Sequence, residues 1–260
     1  VLEYSWLGLQ SQGKKGLIFA YDEAQNLADH AARDQYPLSL LLDIFQSIQR
    51  KGIPFMLVLT GLPTLFPKLV EARTYAERMF RVVFLEPLNK SDTSKAINKP
   101  IAAINCPVSF TQASVDMVWT ITQGYPYFVQ YVCREVFDVW VQNLQDGHEP
   151  AGIPINEIMA KLDTDFFAGR WARATDRQQE LMSVIALLPN ADGEFSVREI
   201  EESVFNKDLP RPFSNSNISQ MLSHLSVAGL IYKNRYGRYS FAVPLLHTFI
   251  SRQAKRQNSG

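Results

Sequence analysis

Residues 16–25 of this chain read Gly-Leu-Ile-Phe-Ala-Tyr-Asp-Glu-Ala-Gln. An apolar run of this kind is typical of a strand buried on both faces of a parallel α/β sheet, and ligands bind beside the carboxyl ends of such strands. Asp22 and Glu23 stand at that end. Because side chains alternate along a strand, we expect the two carboxylates to point in different directions, one toward a metal ion and one toward a water molecule. The alternative is a strand that ends in a solvated acidic turn.

Strands and helices alternate through the residues that follow. Apolar residues at helical spacing come after Tyr36-Pro37, and a second apolar strand ends at Thr60-Gly61. This alternation predicts a parallel sheet with helices on its faces over residues 1–88. After the first strand, the predicted elements are a helix over 36–51, a strand over 54–61, a helical stretch over 73–80 and a third strand over 81–85.

A small all-α domain is predicted for residues 89–167. This stretch has helical spacing throughout and no convincing strand. The tripeptide Gly124-Tyr125-Pro126 interrupts it before its third helix, because glycine and proline both break the preceding helix.

Three helices followed by a hairpin are predicted for residues 168–260. Two capping boxes, which begin at Thr175 and Ser196, mark the starts of the first two helices. A third helix over 217–228 has one apolar face, and two strands follow that are joined by a tight turn at Tyr236-Gly237. This order is typical of a winged helix, a variant of the helix-turn-helix.

The acids after the first strand predict a site for the hydrolysis of a nucleoside triphosphate. That reaction needs a magnesium ion, an oriented water molecule and stabilisation of charge at the γ-phosphate. In this interpretation, a Walker B motif, Asp22 holds the magnesium ion through water and Glu23 orients or deprotonates the attacking water. Thr60 ends the neighbouring strand, where its hydroxyl can reach the γ-phosphate, although a turn or N-cap residue is the alternative. Arg78 or Arg81 can act as an arginine finger on a neighbouring subunit, or form surface ion pairs.

A phosphate-binding loop would be the other half of such a site. Residues 8–15 nearly match the glycine-rich pattern, with Lys15 in place of the usual Ser or Thr. That pattern binds phosphate only between a strand and a helix whose amino terminus faces the anion. Here a strand follows it directly, so we interpret the match as a decoy.

The order of these motifs resembles that of AAA+ ATPases, in particular the bacterial members of the initiator-like and STAND-type group. The resemblance covers nearly the whole chain. The residues that carry it are Asp22-Glu23, Leu59-Thr60-Gly61, Glu77-Arg78-Met79-Phe80, Gly124-Tyr125-Pro126-Tyr127-Phe128, Gly229-Leu230-Ile231-Tyr232 and Phe241-Ala242-Val243-Pro244-Leu245.

The resemblance implies ATP and Mg²⁺ as cofactors of the intact protein. Family members carry the phosphate loop and its strand well before Walker B, so the chain is expected to be truncated at its start, with a gap in its sheet. The all-α domain of residues 89–167 corresponds to the lid of the family. It lacks the usual Arg after the Gly-x-Pro turn, and Arg134 is a weak substitute. The implied roles are Walker B for Asp22 and Glu23, sensor 1 for Thr60, the finger for Arg78 and a lid contact to nucleotide for Gly124 and Pro126.

The winged helix predicts a contact with double-stranded DNA. From Ser214 to the end there is no Asp or Glu, so this part of the chain suits a polyanion, with a solvated basic surface as the alternative. The exposed face of the third helix is polar but carries no Lys or Arg. The hairpin that follows it, called the wing, carries Lys233, Arg235 and Arg238, which suit contacts with phosphate groups. A protein contact and a structural cap remain alternatives. The predicted DNA-contacting residues are Ser219, Gln220, Ser223, Lys233, Arg235 and Arg238.

Composition argues against a membrane protein. The chain has 260 residues, of which 46% are hydrophobic, but no run approaches the roughly 18 apolar residues that span a bilayer. Cys106 and Cys133 have no metal-ligand spacing, so we interpret them as reduced thiols of a cytoplasmic protein.

Two hypotheses of different classes follow. The first is the C-terminal part of an ATP-driven AAA+ switch that can form a homo-oligomer and is inactive in this form. The second is a non-enzymatic DNA- or protein-binding module with a vestigial ATPase core. A helicase shares the Asp-Glu-Ala-Gln box but would need a second RecA-like domain, which the sequence does not predict.

Overall fold

The chain consists of two compact units, residues 1–84 and 85–260. The computed structural model describes residues 1–30, 33–104, 106–149, 152–205 and 213–257. Each unit has its own buried apolar clusters. Within these described ranges, no helix is long and apolar enough to cross a membrane.

The first unit is a two-stranded parallel sheet with helices. The strands pair in register from Leu17 opposite Phe55 to Tyr21 opposite Leu59. In chain order the elements are α1 (Leu2–Ser11), β1 (Leu17–Tyr21), a 3₁₀ turn (Ala24–Asn26), α2 (Pro37–Arg50), β2 (Phe55–Leu59), α3 (Leu65–Ala72) and α4 (Ala76–Met79). The predicted strands and the helix between them are therefore confirmed, within a few residues at their ends.

Among the described residues, side chains cover one face of this sheet and leave the other exposed. Phe19 and Phe55 lie on the covered face, where both rings contact each other and Phe19 also contacts Phe45 of α2. On the opposite face Ile18 is 65% exposed and Met56, its register partner, is 57% exposed. The prediction of a first strand buried on both faces is wrong, because α1, α2 and the end of α4 all pack on the same side.

The predicted third strand, residues 81–85, does not form. These residues follow α4 without regular secondary structure, and Val83 and Phe84 are exposed. A strand takes its main-chain hydrogen bonds from a neighbour, and within the described part of the chain no strand pairs with this segment. The high β-propensity of the sequence is therefore not sufficient by itself to form a strand.

Over its described residues, the second unit is helical except for one hairpin. Five helices and a π-helical turn precede the winged helix in the same residues. In chain order the elements are α5 (Lys90–Ala103), α6 (Gln112–Thr122), α7 (Pro126–Gln145), α8 (Ile155–Leu162), the π turn (Asp163–Ala168), α9 (Gly169–Trp171), α10 (Asp176–Ile185), α11 (Val197–Phe205), α12 (Asn215–Val227), β3 (Ile231–Arg235), β4 (Arg238–Phe241) and α13 (Leu246–Gln257).

The winged-helix segment forms as its local signals predict. Thr175 and Ser196 both make the reciprocal hydrogen bonds of a capping box, with Gln178 and Glu199 respectively. Helix α12 buries its predicted apolar face, and β3 pairs antiparallel with β4. Phe195 extends the hairpin by one further pairing. Its N–H donates to the main-chain oxygen of Tyr239 and its C=O accepts from the Tyr239 N–H, both at 2.8 Å.

The lid and the winged helix share one apolar core. Phe128 of α7 stacks on Phe167 of the π turn, and Phe167 stacks on Phe249 of α13. All three side chains are buried within the same cluster. The predicted domain boundary after residue 167 therefore falls inside a continuously packed region.

Candidate functional site

The predicted site residues of the first unit lie at the carboxyl ends of β1 and β2. The parallel register brings Asp22 beside Thr60, whose hydroxyl donates to the Asp22 carboxylate at 2.5 Å. Main-chain bonds continue past both strand ends, because the Thr60 N–H donates to Tyr21 O and the Ala24 N–H donates to Thr60 O, both at 2.9 Å. The two strand ends thus hold the acid and the hydroxyl in fixed relation.

Asp22 is an exposed carboxylate that is stabilised in its ionised form. The Thr60 hydroxyl and then the Glu23 N–H, at 2.8 Å, donate to it and lower its pKa, while burial opposes this only weakly. An ionised, solvent-accessible carboxylate of this kind can bind a hydrated magnesium ion through water, as magnesium sites in proteins usually do. Within the described ranges no three His, Cys, Asp or Glu side chains form a metal site by themselves, so such an ion would depend on further ligands.

Glu23 has an unusual backbone conformation. Its φ of 53° and ψ of 33° place it in the left-handed region, which is uncommon for a residue with a side chain. Its carboxylate accepts a hydrogen bond from the side-chain amide of Gln25. Strained residues of this type are enriched at functional sites because the surrounding structure must hold them in place.

Sequence reasoning assigned no role to Gln25. Its amide oxygen accepts a hydrogen bond from the Leu62 N–H at 3.2 Å, and its main-chain oxygen accepts one from Lys68 Nζ at 2.6 Å. Gln25 therefore connects the loop after β1 with the loop after β2. The sequence signal for this role is its position in the Asp-Glu-Ala-Gln segment of residues 22–25, two residues after Glu23.

The near-match to a phosphate loop does not have the required geometry. Most of residues 8–15 lie in and just after α1, and β1 follows directly. This order, a helix before and a strand after, is the reverse of a phosphate loop. The interpretation of these residues as a decoy is therefore confirmed.

The two candidate finger residues lie at the end of the first unit. Arg78 is in α4 and Arg81 is two residues beyond it, and both are exposed. Neither arginine makes an ion pair within the residues that the structure describes. Both guanidinium groups are thus accessible, and the choice between them stays open.

The Gly-Tyr-Pro turn of the lid has an internal structural role. Gly124 has a φ of +73°, and a Cβ there would lie 1.9 Å from the Leu88 carbonyl oxygen. The Leu88 N–H also donates to Gly124 O at 2.8 Å. The close backbone approach that requires glycine is therefore made to Leu88, while Pro126 is exposed at the first turn of α7. Arg134 is exposed on the same helix, and its Nε lies 3.9 Å from Oδ2 of Asp138.

The predicted contact face of the winged helix is exposed and uncharged. Ser219, Gln220 and Ser223 all lie on the solvent side of α12. The wing cations have partners that the sequence did not suggest. Lys233 Nζ lies 5.5 Å from the centre of the Tyr236 ring, which is itself almost fully exposed at the tip of the hairpin.

Two glutamates neutralise the wing arginines. Arg235 donates to Glu194 from Nη2 at 2.8 Å and from Nε at 3.1 Å, and Arg238 donates to Glu199 at 2.9 Å. The hydroxyl of Ser196 is the main group that lowers the pKa of Glu199, and Arg238 adds to this effect. In each pair the glutamate precedes the arginine by about 40 residues. Sequence patterns relate only residues that are close along the chain, so they did not indicate either pair.

Comparison with solved structures finds proteins of similar architecture. A Walker-type ATPase of Pyrococcus abyssi is 17% identical with a TM-score of 0.56, over 93% of this chain and 64% of that protein. The ORC2 protein of Aeropyrum pernix, solved in ADPNP and ADP complexes, is 10% identical with a TM-score of 0.52, over 97% of this chain and 68% of that protein. The chain thus spans slightly less than two thirds of the length of the Pyrococcus protein.

Sequence comparisons add little beyond this. A family described as "Domain of unknown function (DUF8462)" matches residues 164–250, which include most of the π turn and most of the winged helix. No curated protein matches the sequence. The structural likeness, at these identities, concerns the fold. The chain shares its α/β fold with these two proteins: a parallel sheet with helices, followed by an all-α region and a winged helix.

Proposed function

We propose that this chain belongs to an ATP-binding and ATP-hydrolysing molecular switch. The observation that carries the proposal is the 2.5 Å hydrogen bond from Thr60 to Asp22, across the adjacent ends of two parallel strands. In the proposed function Asp22 is the Walker B aspartate and Thr60 is the sensor 1 residue. Their contact supports this assignment, because the acid and the polar sensor must face the same nucleotide.

Each predicted residue has a distinct task in this proposal. Asp22 holds Mg²⁺ through water, and Glu23 orients the water that attacks the γ-phosphate. When bound, the magnesium ion supplies positive charge that stabilises the transferring phosphoryl group. Arg78 would serve a neighbouring subunit of a homo-oligomer, and Gly124 with Pro126 would lie at the nucleotide side of the lid. The same proposal places the protein in the cytoplasm.

Metal binding gives a direct test of the assignment to Asp22. Mn²⁺ is a paramagnetic substitute for Mg²⁺, so bound Mn²⁺ should broaden NMR signals of residues 22–25 and 60–62 in the full chain. Asp22→Asn should weaken this broadening, because it removes the charge that attracts the cation. Glu71→Gln is the matched control, since Glu71 is an exposed acid of α3 in the same unit. Equal broadening in the wild type and in Asp22→Asn would overturn the assignment.

Hydrolysis itself is not expected from the chain in this form. Within the residues that the structure describes, no glycine-rich loop lies between a strand and a helix, so no loop of this type would hold the phosphates in place. ATP turnover, measured with and without magnesium, should equal the protein-free rate. A magnesium-dependent rate that Glu23→Gln abolishes would contradict this expectation.

The winged helix is proposed to contact double-stranded DNA through α12 and the wing. The exposed polar face of α12 supports a groove contact, and the wing supplies Lys233, Arg235 and Arg238 near its tip. Arg235 retains 70% side-chain exposure despite its pair with Glu194, so it remains accessible to phosphate. Phosphate contacts of this kind contribute affinity without sequence preference.

A protein-binding module without ATPase activity is the second candidate function. The observation that favours it is that both wing arginines are already paired with glutamates. An arginine that must leave a carboxylate before it binds a phosphate contributes less net affinity.

A mobility-shift assay with a short DNA duplex separates these candidates. Glu194→Gln should strengthen binding because it releases Arg235, and replacement of Lys233, Arg235 and Arg238 by Ala should abolish a salt-dependent shift. Glu202→Gln, a change of the same type at an exposed residue of α11 that pairs with Arg198, should have no such effect. A complete absence of any shift, in the wild type and in Glu194→Gln, would favour the protein-binding candidate.

A further inference from the structure

Gln25 uses both ends of its side-chain amide at the candidate site. The NH₂ group donates to the Glu23 carboxylate, and the oxygen accepts from the Leu62 N–H at 3.2 Å. Among side chains of this length only glutamine can donate and accept in this way, because glutamate has no donor when ionised and lysine has no acceptor. The two partners themselves define which end of the amide faces which loop.

The loop after β2 is shaped to admit this side chain. A Cβ at Gly61 would lie only 2.2 Å from Gln25 Oε1 and 3.3 Å from the Gln25 main-chain nitrogen. Any residue other than glycine would therefore push the amide out of its place. Lys68 of α3 also contacts this residue, since its Nζ donates to the main-chain oxygen of Gln25 at 2.6 Å.

The two acids of the site thus accept hydrogen bonds from different donors, and both donors depend on residues 60–62 after β2. Asp22 accepts the hydroxyl of Thr60, whereas Glu23 accepts the amide of Gln25, which is itself bonded two residues past Thr60. The left-handed backbone of Glu23 presents its carboxylate toward Gln25. A movement of residues 60–62 would therefore act on both acids.

We propose that Gln25 is a positioning residue that restrains the Glu23 carboxylate and makes this restraint depend on the loop after β2. In the restrained state one carboxylate oxygen of Glu23 is occupied by the amide. When residues 60–62 move, the amide loses its second anchor and Glu23 becomes free to accept a hydrogen bond from water. The consequence for hydrolysis rests on the proposed function, whereas the coupling between Glu23 and Leu62 does not.

Hydrogen exchange of the Leu62 amide, measured by NMR on the full chain without metal or nucleotide, tests the coupling. Gln25→Ala should raise the exchange rate of this amide about tenfold, the factor expected when one hydrogen bond is lost. Glu23→Ala should raise it several-fold although Glu23 does not itself bond Leu62, because the amide loses its other anchor. The Thr60 N–H, bonded to Tyr21 O at 2.9 Å, should keep its protection in both variants.

Two further variants separate coupling from a general loosening of the loop. Glu71→Ala removes the same charge as Glu23→Ala from an exposed position of α3 and should leave the Leu62 amide unchanged. Gln25→Glu keeps an acceptor for the Leu62 N–H but cannot donate to Glu23 and repels it. In the Gln25→Glu background, Glu23→Ala should therefore no longer raise the exchange rate of Leu62.

The proposal is overturned if Leu62 exchange is unaffected by Glu23→Ala, or if Glu71→Ala changes it equally. Because neither metal nor nucleotide is present, this outcome is independent of the Mn²⁺ test. If Mn²⁺ broadens the signals equally in the wild type and in Asp22→Asn while Glu23→Ala still raises Leu62 exchange, the proposed function is contradicted but the positioning contact of Gln25 is supported.

Discussion

The two units of the chain bury their apolar surface in different ways. In residues 85–260, large aromatic side chains from the lid, the π turn and α13 share one closed core. In residues 1–84, the sheet is packed on one face and exposed on the other, where Ile18 and Met56 lie side by side. Parallel sheets are normally covered on both faces. The candidate acids and Thr60 therefore lie on the less completely packed unit, where the strand register and short polar contacts position them.

Core truncation should show the largest difference between the units. Phe167→Ala removes a fully buried ring that stacks on Phe128 and Phe249, so we expect a loss of about 3–5 kcal/mol in the free energy of unfolding of the second unit. Ile18→Ala, on the exposed sheet face, should change the stability of the first unit by less than about 0.5 kcal/mol. Urea denaturation with hydrogen exchange resolved for peptides of each unit measures both.

The comparison would break if Ile18→Ala cost as much as Phe167→Ala. That result would mean that the exposed sheet face is covered in solution, for example by self-association, which the dependence on protein concentration would reveal.

Ion pairs should show the next largest difference. Asp163 of the π turn is 3% exposed and accepts two hydrogen bonds from Arg252 of α13, so Asp163→Asn should cost about 3 kcal/mol by leaving a poorly compensated guanidinium. In the first unit Asp43 pairs with Arg73, but the Asp43 side chain is 44% exposed. Asp43→Asn should cost only about 1 kcal/mol, because solvent screens the pair. Denaturation curves of the two variants test the ratio, and equal losses would contradict it.

The stability of the first unit should depend on pH through the ionisation of Asp43. The Arg73 guanidinium and then the Tyr75 hydroxyl, which donates at 2.6 Å, lower the pKa of Asp43 to about 2. A carboxylate with a depressed pKa in the folded state stabilises the protein above its unfolded value near 4, and this contribution is lost as the pH falls toward 2. We expect a loss of about 1 kcal/mol in this window, after allowance for screening.

Asp43→Asn serves as the control for the pH effect. In this variant the acid-dependent loss in the first unit should be smaller, since the titrating group is absent. An unchanged profile would assign the acid sensitivity to other carboxylates.

The smallest expected effect concerns the candidate site itself. Thr60→Val removes the hydroxyl that donates to Asp22, so the Asp22 pKa should rise toward its ordinary value, while the stability of the unit should change by less than about 0.5 kcal/mol. Thr60→Ser retains the hydroxyl and should retain the low pKa. NMR titration of the Asp22 carboxyl carbon measures both variants, and an equal pKa in wild type and Thr60→Val would exclude the contact.

Local patterns predicted the elements of the second unit well. The capping boxes at Thr175 and Ser196, the apolar face of α12 and the turn at Tyr236-Gly237 all appear as expected. Each of these features depends on residues only a few positions apart. Their geometry is therefore determined largely by the helix and hairpin to which they belong.

The first unit was predicted less completely. The run into Asp22-Glu23 and the strand that ends at Thr60 were recognised, and the register places them together. A gap in the sheet was expected, but the open sheet face was not, and residues 81–85 were wrongly predicted to form a strand. An apolar run does not reveal whether a neighbouring strand or helix is present to cover it.

The sequence alone determined the order of β1, α2 and β2, the helices and hairpin of the winged helix from α10 to β4, the decoy character of residues 8–15 and the candidate acids at a strand end. Only the tertiary structure decided that Gln25 joins the two loops, and that Glu194 and Glu199 neutralise the wing arginines. The physical reason is distance along the chain. Helical and strand periodicities report neighbours within one or two turns, whereas these contacts join residues about 40 positions apart that meet only after the chain has folded.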